Sequence, residues 1–399
     1  MDRNEIIIVG GGISGLSLAL YCAKSGLQTT LLEREERVGG AFHSHRVPDG
    51  DFWLELGAHT CYNSYANLLD IVEYCHTDGQ MIQREKVPFK MLVDDQIRSI
   101  FSQINYPELL LSVPKLLLQK KQQQSVSSYY SAVLGKKNYF GVFRHLFNAV
   151  PSQSTDDFPA DILFKSRTRR KDHYRSYTFT GGLETIVDGI VSKEKIQILT
   201  GQVIDSIERL AGSYRIETED GNKYETGTLA LATPAPVASK LLQSAHPEIS
   251  QLLAKIPVAK VNSTGVVIDR KFLPLRPLAG IISADDLFYS AVSRDTVSDE
   301  QFRGFTFHFK PEVLDQQMRL KRISEVLAVR PEQIDEVVWK SNLLPSLKVG
   351  HVDLVEEIDT HLDQNHLLLT GNYFAGVSIE DCVSRSLHEF SRLAVDGDV

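Results

Sequence analysis

Cysteine is scarce in this chain: there are four in 399 residues, Cys22, Cys61, Cys75 and Cys382. None stand in C-x-x-C or other ligand spacing, which argues against a disulfide framework and fits a reducing compartment. No uninterrupted apolar run approaches the roughly 20 residues that span a bilayer. Asp2, Arg3, Asn4 and Glu5 lead straight into an apolar run with no leader pattern, so a cytoplasmic location is expected. A basic excess is missing as well: 43 Lys and Arg stand against 51 Asp and Glu, for a net charge of −8. Nucleic acid is therefore not expected as a bulk partner. There is no internal repeat, and only Gln119–Gln124 is of low complexity. What remains is an ordinary soluble composition, 42% hydrophobic and 24% charged, in a chain long enough for two domains.

Against that plain background, residues 5–33 stand out. Ile6, Ile7, Ile8 and Val9 form a β-branched run of the length expected for a buried parallel strand. Gly10, Gly12 and Gly15 then give G-x-G-x-x-G, with Ile13 and Ser14 between them, and Leu16 to Leu20 continue as an apolar helix. Gly26 sits where a helix C-cap glycine belongs. Leu27 to Leu32 form a second strand, which Glu33 closes. Each part has a physical task in holding a dinucleotide. Gly10 permits the tight turn, Gly12 lets a pyrophosphate approach the backbone, and Gly15 lets helix and strand close up. The helix N-terminus offers free N–H groups and a positive dipole end. Glu33, 23 residues beyond Gly10, is spaced to accept ribose hydroxyls.

The next residues indicate which dinucleotide. Glu33, Arg37, Gly39 and Gly40 give E-x-x-x-R-x-G-G, with Arg34 inside it. This extension resembles the FAD-binding signature of the flavin amine oxidase, protoporphyrinogen oxidase and phytoene desaturase superfamily. The resemblance implies that Arg37, Gly39 and Gly40 lie beside the FAD diphosphate and ribose. Many amine oxidases carry an arginine after the second glycine pair, where this chain has Ala41. Leu54 to His59, with Gly57 and Ala58, is similar to the family's E-x-G segment beside the flavin ring. His59 is expected as a structural histidine, with a flavin-facing role as the alternative. His43, His45 and His59 lack a completing carboxylate or cysteine pattern, and no metal is expected.

The carboxyl-terminal end carries the second signal: Trp339, Leu344-Pro345, Gly350-His351, then Gly371-Asn372 and Gly376-Val377-Ser378-Ile379-Glu380-Asp381-Cys382. This resembles the terminus of protoporphyrinogen oxidases. It implies that Gly371 and Asn372 approach the FAD phosphates, and that a helix from about Ile379 aims its positive end at the flavin pyrimidine edge. Ser378 and Asp381 have capping-box spacing for that helix. Cys382 falls inside it, so FAD is expected to be noncovalent. In between, Gly181-Gly182-Leu183 is similar to the family's re-entry element. A β-meander spans residues 203–227, and Thr228 to Thr233 form a buried strand. In the family the Val203 position meets the adenine, and the return strand, with Ala232, lies over the FAD. Lys260 matches loosely a lysine that holds a water near flavin N5 in many amine oxidases; a surface lysine is the other reading.

The fold implied is α/β, α+β overall: a Rossmann-like FAD-binding domain with a β-meander, from residues 1–65, 178–240 and 340–399. A substrate domain of mixed sheet and helices takes 66–177 and 241–339. Leu109 to Leu118, interrupted by Pro114 and followed by Lys120 and Lys121, is expected as a helix buried in the substrate domain. An interfacial segment contacting a membrane is the alternative. The basic run Lys165–Arg175 is expected as a solvated loop, the alternative being an anion site. Glu312, Asp315, Arg319 and Arg322 are spaced for a solvated helix face. The activity implied is FAD-dependent removal of hydride from a C–H next to nitrogen, or from an activated C–C bond, of a hydrophobic or aromatic small molecule. Gly57-Ala58-His59 leaves a second reading, a UDP-galactopyranose mutase-like isomerase.

Overall fold

A computed structural model describes residues 5–48, 50–193, 195–313, 315–362 and 366–395. Asp2, Arg3 and Asn4 of the expected strand entry lie outside the described residues. The fold is mixed α/β. Strand β1 (Glu5–Val9) turns into helix α1 (Ile13–Lys24), which returns through β2 (Gln28–Leu32). Leu27 N–H reaches back to Cys22 O and Gly26 N–H to Ala23 O, with Gly26 at φ +91°, so the helix ends in the αL turn that glycine favours. Strands β3 (Ile196–Leu199), β4 (Thr228–Leu231) and β5 (Leu367–Leu369) complete a parallel sheet ordered β3-β2-β1-β4-β5. Alternate side chains of β1 serve two cores. Ile6 and Ile8 pack with α1, while Ile7 and Val9 join Leu229, Leu231, Leu367 and Leu369 on the other face. A sheet buried on both faces needs this continuous apolar run rather than alternation.

The final helix, α2 (Ile379–Val395), lies against α1. Glu389, fully buried, is held by Arg385 and Arg392 and accepts from Leu369 N–H at 3.1 Å. This charged cluster ties the last helix to β5. The expected meander is present as Ile204–Leu210, Ser213–Thr218 and Lys223–Thr226.

A second, seven-stranded sheet is mixed, with one parallel pair. Its outer strand Ile334–Pro345 pairs along Val258–Asp269, and the next neighbour is Phe302–Phe309. The hairpin predicted at Asp94-Asp95 is there, both residues at positive φ. One face is covered by helix Gln316–Leu327. The other meets strand Trp53–Glu55. A Cβ on Gly265 or Gly304 would lie 2.9 Å from a Leu54 methyl, so these two glycines permit the close approach.

Four expectations change. The boundary at residue 340 falls inside the strand Ile334–Pro345, which pairs continuously across it. Arg319 is buried, its Nε donating to Val313 O, and Arg322 is clasped by Asp286; neither is a solvated face. Leu109–Leu118 is not buried: Leu110, Leu111, Leu117 and Leu118 are at least 74% exposed. The basic run is irregular but not free: Arg170 is paired with Glu73 at 2.6 Å and Arg167 with Asp381 at 2.8 Å. Among the described residues no helix is long and apolar enough to cross a membrane.

Candidate active site

Strand order reverses between β1 and β4, and a crevice at the carboxyl ends of the strands is where an open α/β sheet takes its ligand. Glycine lines that point. A Cβ on Gly15 would lie 1.9 Å from Gly10 O, and one on Gly10 would meet Ala232 O at 2.7 Å. Gly12 caps α1, yet no side chain satisfies its first N–H groups, and the space where a Gly12 Cβ would stand is open. Glu33, nearly buried, accepts from Gly11 N–H at 2.6 Å and Glu35 N–H at 2.9 Å. The second glycine pair closes over the first. Gly39 N–H donates to Gly11 O at 2.7 Å, and a Cβ on Gly40 would touch Gly12 Cα at 3.1 Å. Ala58 N–H donates to Ala41 O at 3.0 Å, and a Cβ on Gly57 would sit 2.3 Å from Ala41 O. The cradle is thus mostly bare backbone with an open helix N-terminus, which suits a dinucleotide diphosphate.

Two cations border it. Arg37 donates to Phe42 O at 2.5 Å and to Glu184 at 2.8 Å. Lys340 reaches across from the seven-stranded sheet; its Nζ donates to Gly40 O at 2.6 Å and lies 3.3 Å from His43 Nδ1. Burial, with Arg37 nearby, pulls the Lys340 ammonium down to about 8. Burial and the Lys340 charge likewise hold His43 neutral, at about 4.

The start of α2 is built as its sequence spacing predicts. Ser378 Oγ accepts from Asp381 N–H at 3.2 Å, and Asp381 accepts from Ser378 N–H at 3.2 Å. Arg167 donates to both Ser378 Oγ and Asp381, and Lys165 to Asp381 and Ala375 O. Burial works to raise the Asp381 carboxyl, but Ser378, Lys165 and Arg167 outweigh it and hold it below the usual range. Lys165 and Arg167 thus face Asp381 at this corner, with Glu380 as a second carboxylate in the same turn of α2. Ser386 Oγ donates to Ser14 O at 2.8 Å, which brings α2 onto the first turn of α1.

Between Trp53–Glu55 and the seven-stranded sheet lies a cavity of about 20 Å³, room for a single water. The Arg294 guanidinium carbon lies over the Trp53 ring, 4.0 Å from its centroid. Arg84 donates to the hydroxyls of Thr60 and Thr296. Burial pushes the Glu55 carboxyl up to about 7, although Leu183 N–H at 2.7 Å and Ser44 Oγ at 3.0 Å support its charged form. Those two bonds place Glu55 at the N-terminus of helix Glu184–Lys193. His59, at the cavity wall, bonds Thr60 Oγ1 at 2.8 Å; burial and Arg84 hold it near 3, so it is a neutral imidazole.

The structure gathers Gly10, Gly12, Gly15, Glu33, Gly39, Gly40, Ala41, Gly57, Ala58 and Ala232 in one place. Ile13 and Ser14 open α1 there, and Gly371 and Asn372 follow the carboxyl end of β5. Gly376, Val377, Ser378 and Ile379 form the cap of α2. Val203 is part exposed, its carbonyl accepting from Glu219 N–H beside the Glu33–Glu35 turn. Arg34 points outward, paired with Glu35 at 3.2 Å. Lys260 is exposed opposite Leu343; the lysine at the cradle is Lys340, which faces Ser263 across the same pair of strands. His43, His45 and His59 do not converge: His45 pairs with Glu336 and the other two hold the partners given above. Sequence reasoning missed Lys340, Arg84 and Arg294, which carry no motif. The signal for Lys340 was its place directly after Trp339 in the carboxyl-terminal pattern.

A dinucleotide cradle at a parallel-sheet switch point, beside a second mixed sheet, defines a nucleotide-cofactor fold. Residues 8–75 match the NAD(P)-binding Rossmann-like domain. Residues 122–389 match the family of flavin containing amine oxidoreductases. The chain belongs to that family, and its cofactor is FAD. A "Probable flavin-containing monoamine oxidase A" of Dictyostelium discoideum is 24% identical over 67% of this chain and 66% of its own length. A 15-cis-phytoene desaturase of Narcissus pseudonarcissus is 29% identical over 27% of this chain and 18% of its own. The chain thus spans less than two thirds of either relative. A solved structure provisionally named protoporphyrinogen oxidase, from Exiguobacterium sp. 255-15, is similar over 100% of both chains, with a TM-score of 0.81 and 20% identity.

Proposed function

We propose that this chain is an FAD-dependent oxidase or dehydrogenase that removes a hydride from a C–H next to nitrogen, or from an activated C–C bond, of a hydrophobic or aromatic small molecule. The observation that carries this reading is the meeting of two glycine turns, Gly10–Gly15 and Gly371–Ser378, at the switch point of one parallel sheet. When bound, FAD supplies the two-electron acceptor for such a step. The chain supplies position and charge. Gly12 and the open N-terminus of α1 take the diphosphate, Arg37 and Lys340 face its anionic charge, and Glu33 accepts from the ribose. The N-terminus of α2, with Lys165 and Arg167, favours negative charge at the flavin pyrimidine edge. The FAD is noncovalent in this reading: Cys382 is buried inside α2 and its thiol is pushed up to about 12 by burial, far from a reactive thiolate. No general base is assigned. The sheets are read as two interleaved domains, and peripheral contact with a membrane belongs to the reading.

The test is a visible spectrum of the purified protein before and after anaerobic addition of protoporphyrinogen or simple amines. Yellow protein bleached by one class supports the reading, and re-oxidation in air marks an oxidase. Colourless protein that takes up no added FAD overturns it.

A further inference from the structure

Residues 101–121 are folded inside out. Helix Tyr106–Ser112 continues into a short helical turn, Val113–Leu117. In a core helix the leucines face inward. Here Ser112 is buried, while Leu110 is 74%, Leu111 80%, Leu117 91% and Leu118 83% exposed. Phe101, Tyr106, Val113 and Leu116 extend the same exposed ridge. The polar groups point the other way and anchor the segment. Asn105 N–H donates to Asn138 Oδ1 at 2.7 Å, Asn138 Nδ2 returns a bond to Asn105 O, and Glu108 accepts from the backbone N–H groups of Lys137 and Asn138. The ridge is therefore held in place by its polar side with its apolar side outward. A contiguous exposed apolar patch of this kind marks a contact surface.

Charge indicates what the surface meets. Residues 96–143 hold six basic residues, Arg98, Lys115, Lys120, Lys121, Lys136 and Lys137, and one acidic residue, Glu108; Arg144, just beyond, is paired with Asp156. This occurs in a chain of net charge −8. Glu108 is engaged with backbone N–H groups at its base. Lys121 lies over the rings of Tyr129 and Tyr130, at 5.7 and 5.5 Å, beside the apolar ridge. Apolar side chains bordered by lysines, on a helix too short to span, match the boundary between anionic headgroups and acyl chains.

Resting on the membrane contact in the functional reading, we propose that residues 101–121 dock this protein on an anionic phospholipid surface. The leucines enter the headgroup–acyl boundary, and Lys115, Lys120 and Lys121 lie at the phosphates.

The experiment is co-sedimentation of the FAD-loaded protein with phosphatidylcholine vesicles, with and without about 30% phosphatidylglycerol, at low and high salt. Binding is expected to the anionic vesicles and to weaken in high salt. Leu117→Asp with Leu118→Asp should weaken it at least about tenfold, since each leucine loses most of its burial term. Lys120→Gln and Lys121→Gln should each weaken it about fivefold. Leu117, Leu118 and Lys120 are exposed, so for those variants flavin absorbance and melting temperature should stay as in the parent; Lys121, half-buried over Tyr129 and Tyr130, is read against its own melting temperature. Three results overturn the proposal: no sedimentation with either vesicle, undiminished binding by the double Asp variant, or a dimer in analytical ultracentrifugation that the same variant abolishes, which would make a second copy the occupant. Flavin absorbance keeps the two readings apart. A yellow protein that ignores vesicles loses only the surface, and a colourless one that binds them loses only the flavin.

Discussion

The cradle and the cavity beneath the seven-stranded sheet lie on either side of the Trp53–Ala58 segment, and they are made of different materials. The cradle is backbone: glycines at Gly10, Gly12, Gly15 and Gly40, bare N–H groups, and one buried carboxylate, Glu33. The cavity is side chain: Trp53, Glu55, His59, Arg84 and Arg294 converge from separate segments. A backbone site has one material solution at each position, because only glycine lacks a Cβ. A side-chain site has many, because any strand that passes can deliver the group. The first kind should therefore be brittle under substitution, and the second should respond mainly through its electrostatics.

The largest effect expected is on the brittle side. Gly15→Ala places a methyl 1.9 Å from Gly10 O, so the turn must open at a cost of about 3 kcal/mol or more, with flavin retention falling at least about a hundredfold. The ratio of flavin to protein absorbance reads it; retention equal to the parent would remove the contrast. The cavity side should respond through pH. Glu55 is raised from 4.5 to about 7 in the folded state by burial. Its native form is most favoured when protonated, so its contribution is fully present below pH 4.5 and is lost as pH rises through 7. The loss is about 3 kcal/mol. Glu55→Gln should flatten that slope, as calorimetric melting across this window would show.

Lys340 bridges the two regions and gives a smaller effect. Its ammonium, near 8, should favour the diphosphate below that pH and lose the attraction above it. FAD affinity, followed by flavin fluorescence, should weaken about tenfold in Lys340→Met and lose its dependence on pH near 8. The smallest effect belongs to Arg167→Gln, which removes one of two cations at the start of α2. The flavin reduction potential should fall by about 20 mV, equivalent to about 1 kcal/mol, with FAD still bound. An unchanged or raised potential would show that the Arg167 charge is spent on Asp381 and does not act on the flavin.

The exposed ridge at Tyr106–Leu118 marks the limit of pattern reading. A dense leucine run is expected inside, because in most soluble folds burial is where such a run gains its stability. Here Asn105, Glu108 and Asn138 fix the polar face against the protein and turn the leucines out. Nothing in the spacing of the leucines distinguishes the two outcomes. Arg319 erred the other way: helical spacing marked it as solvated, and it is buried beside Phe309 and Trp339.

By itself the sequence determined the parallel-sheet core, the glycine cradle, the meander and the capped last helix. Each rests on local constraints: β-branched runs, positions that exclude a Cβ, and a capping pair three residues apart, Ser378 and Asp381. Only the tertiary structure decided which lysine borders the cradle, which arginines line the cavity, where the basic run docks, and which way the leucine ridge faces. Those depend on side chains brought together from far along the chain, such as Lys340 with Gly40 and Arg167 with Asp381, and pairings across hundreds of residues leave no periodicity to read.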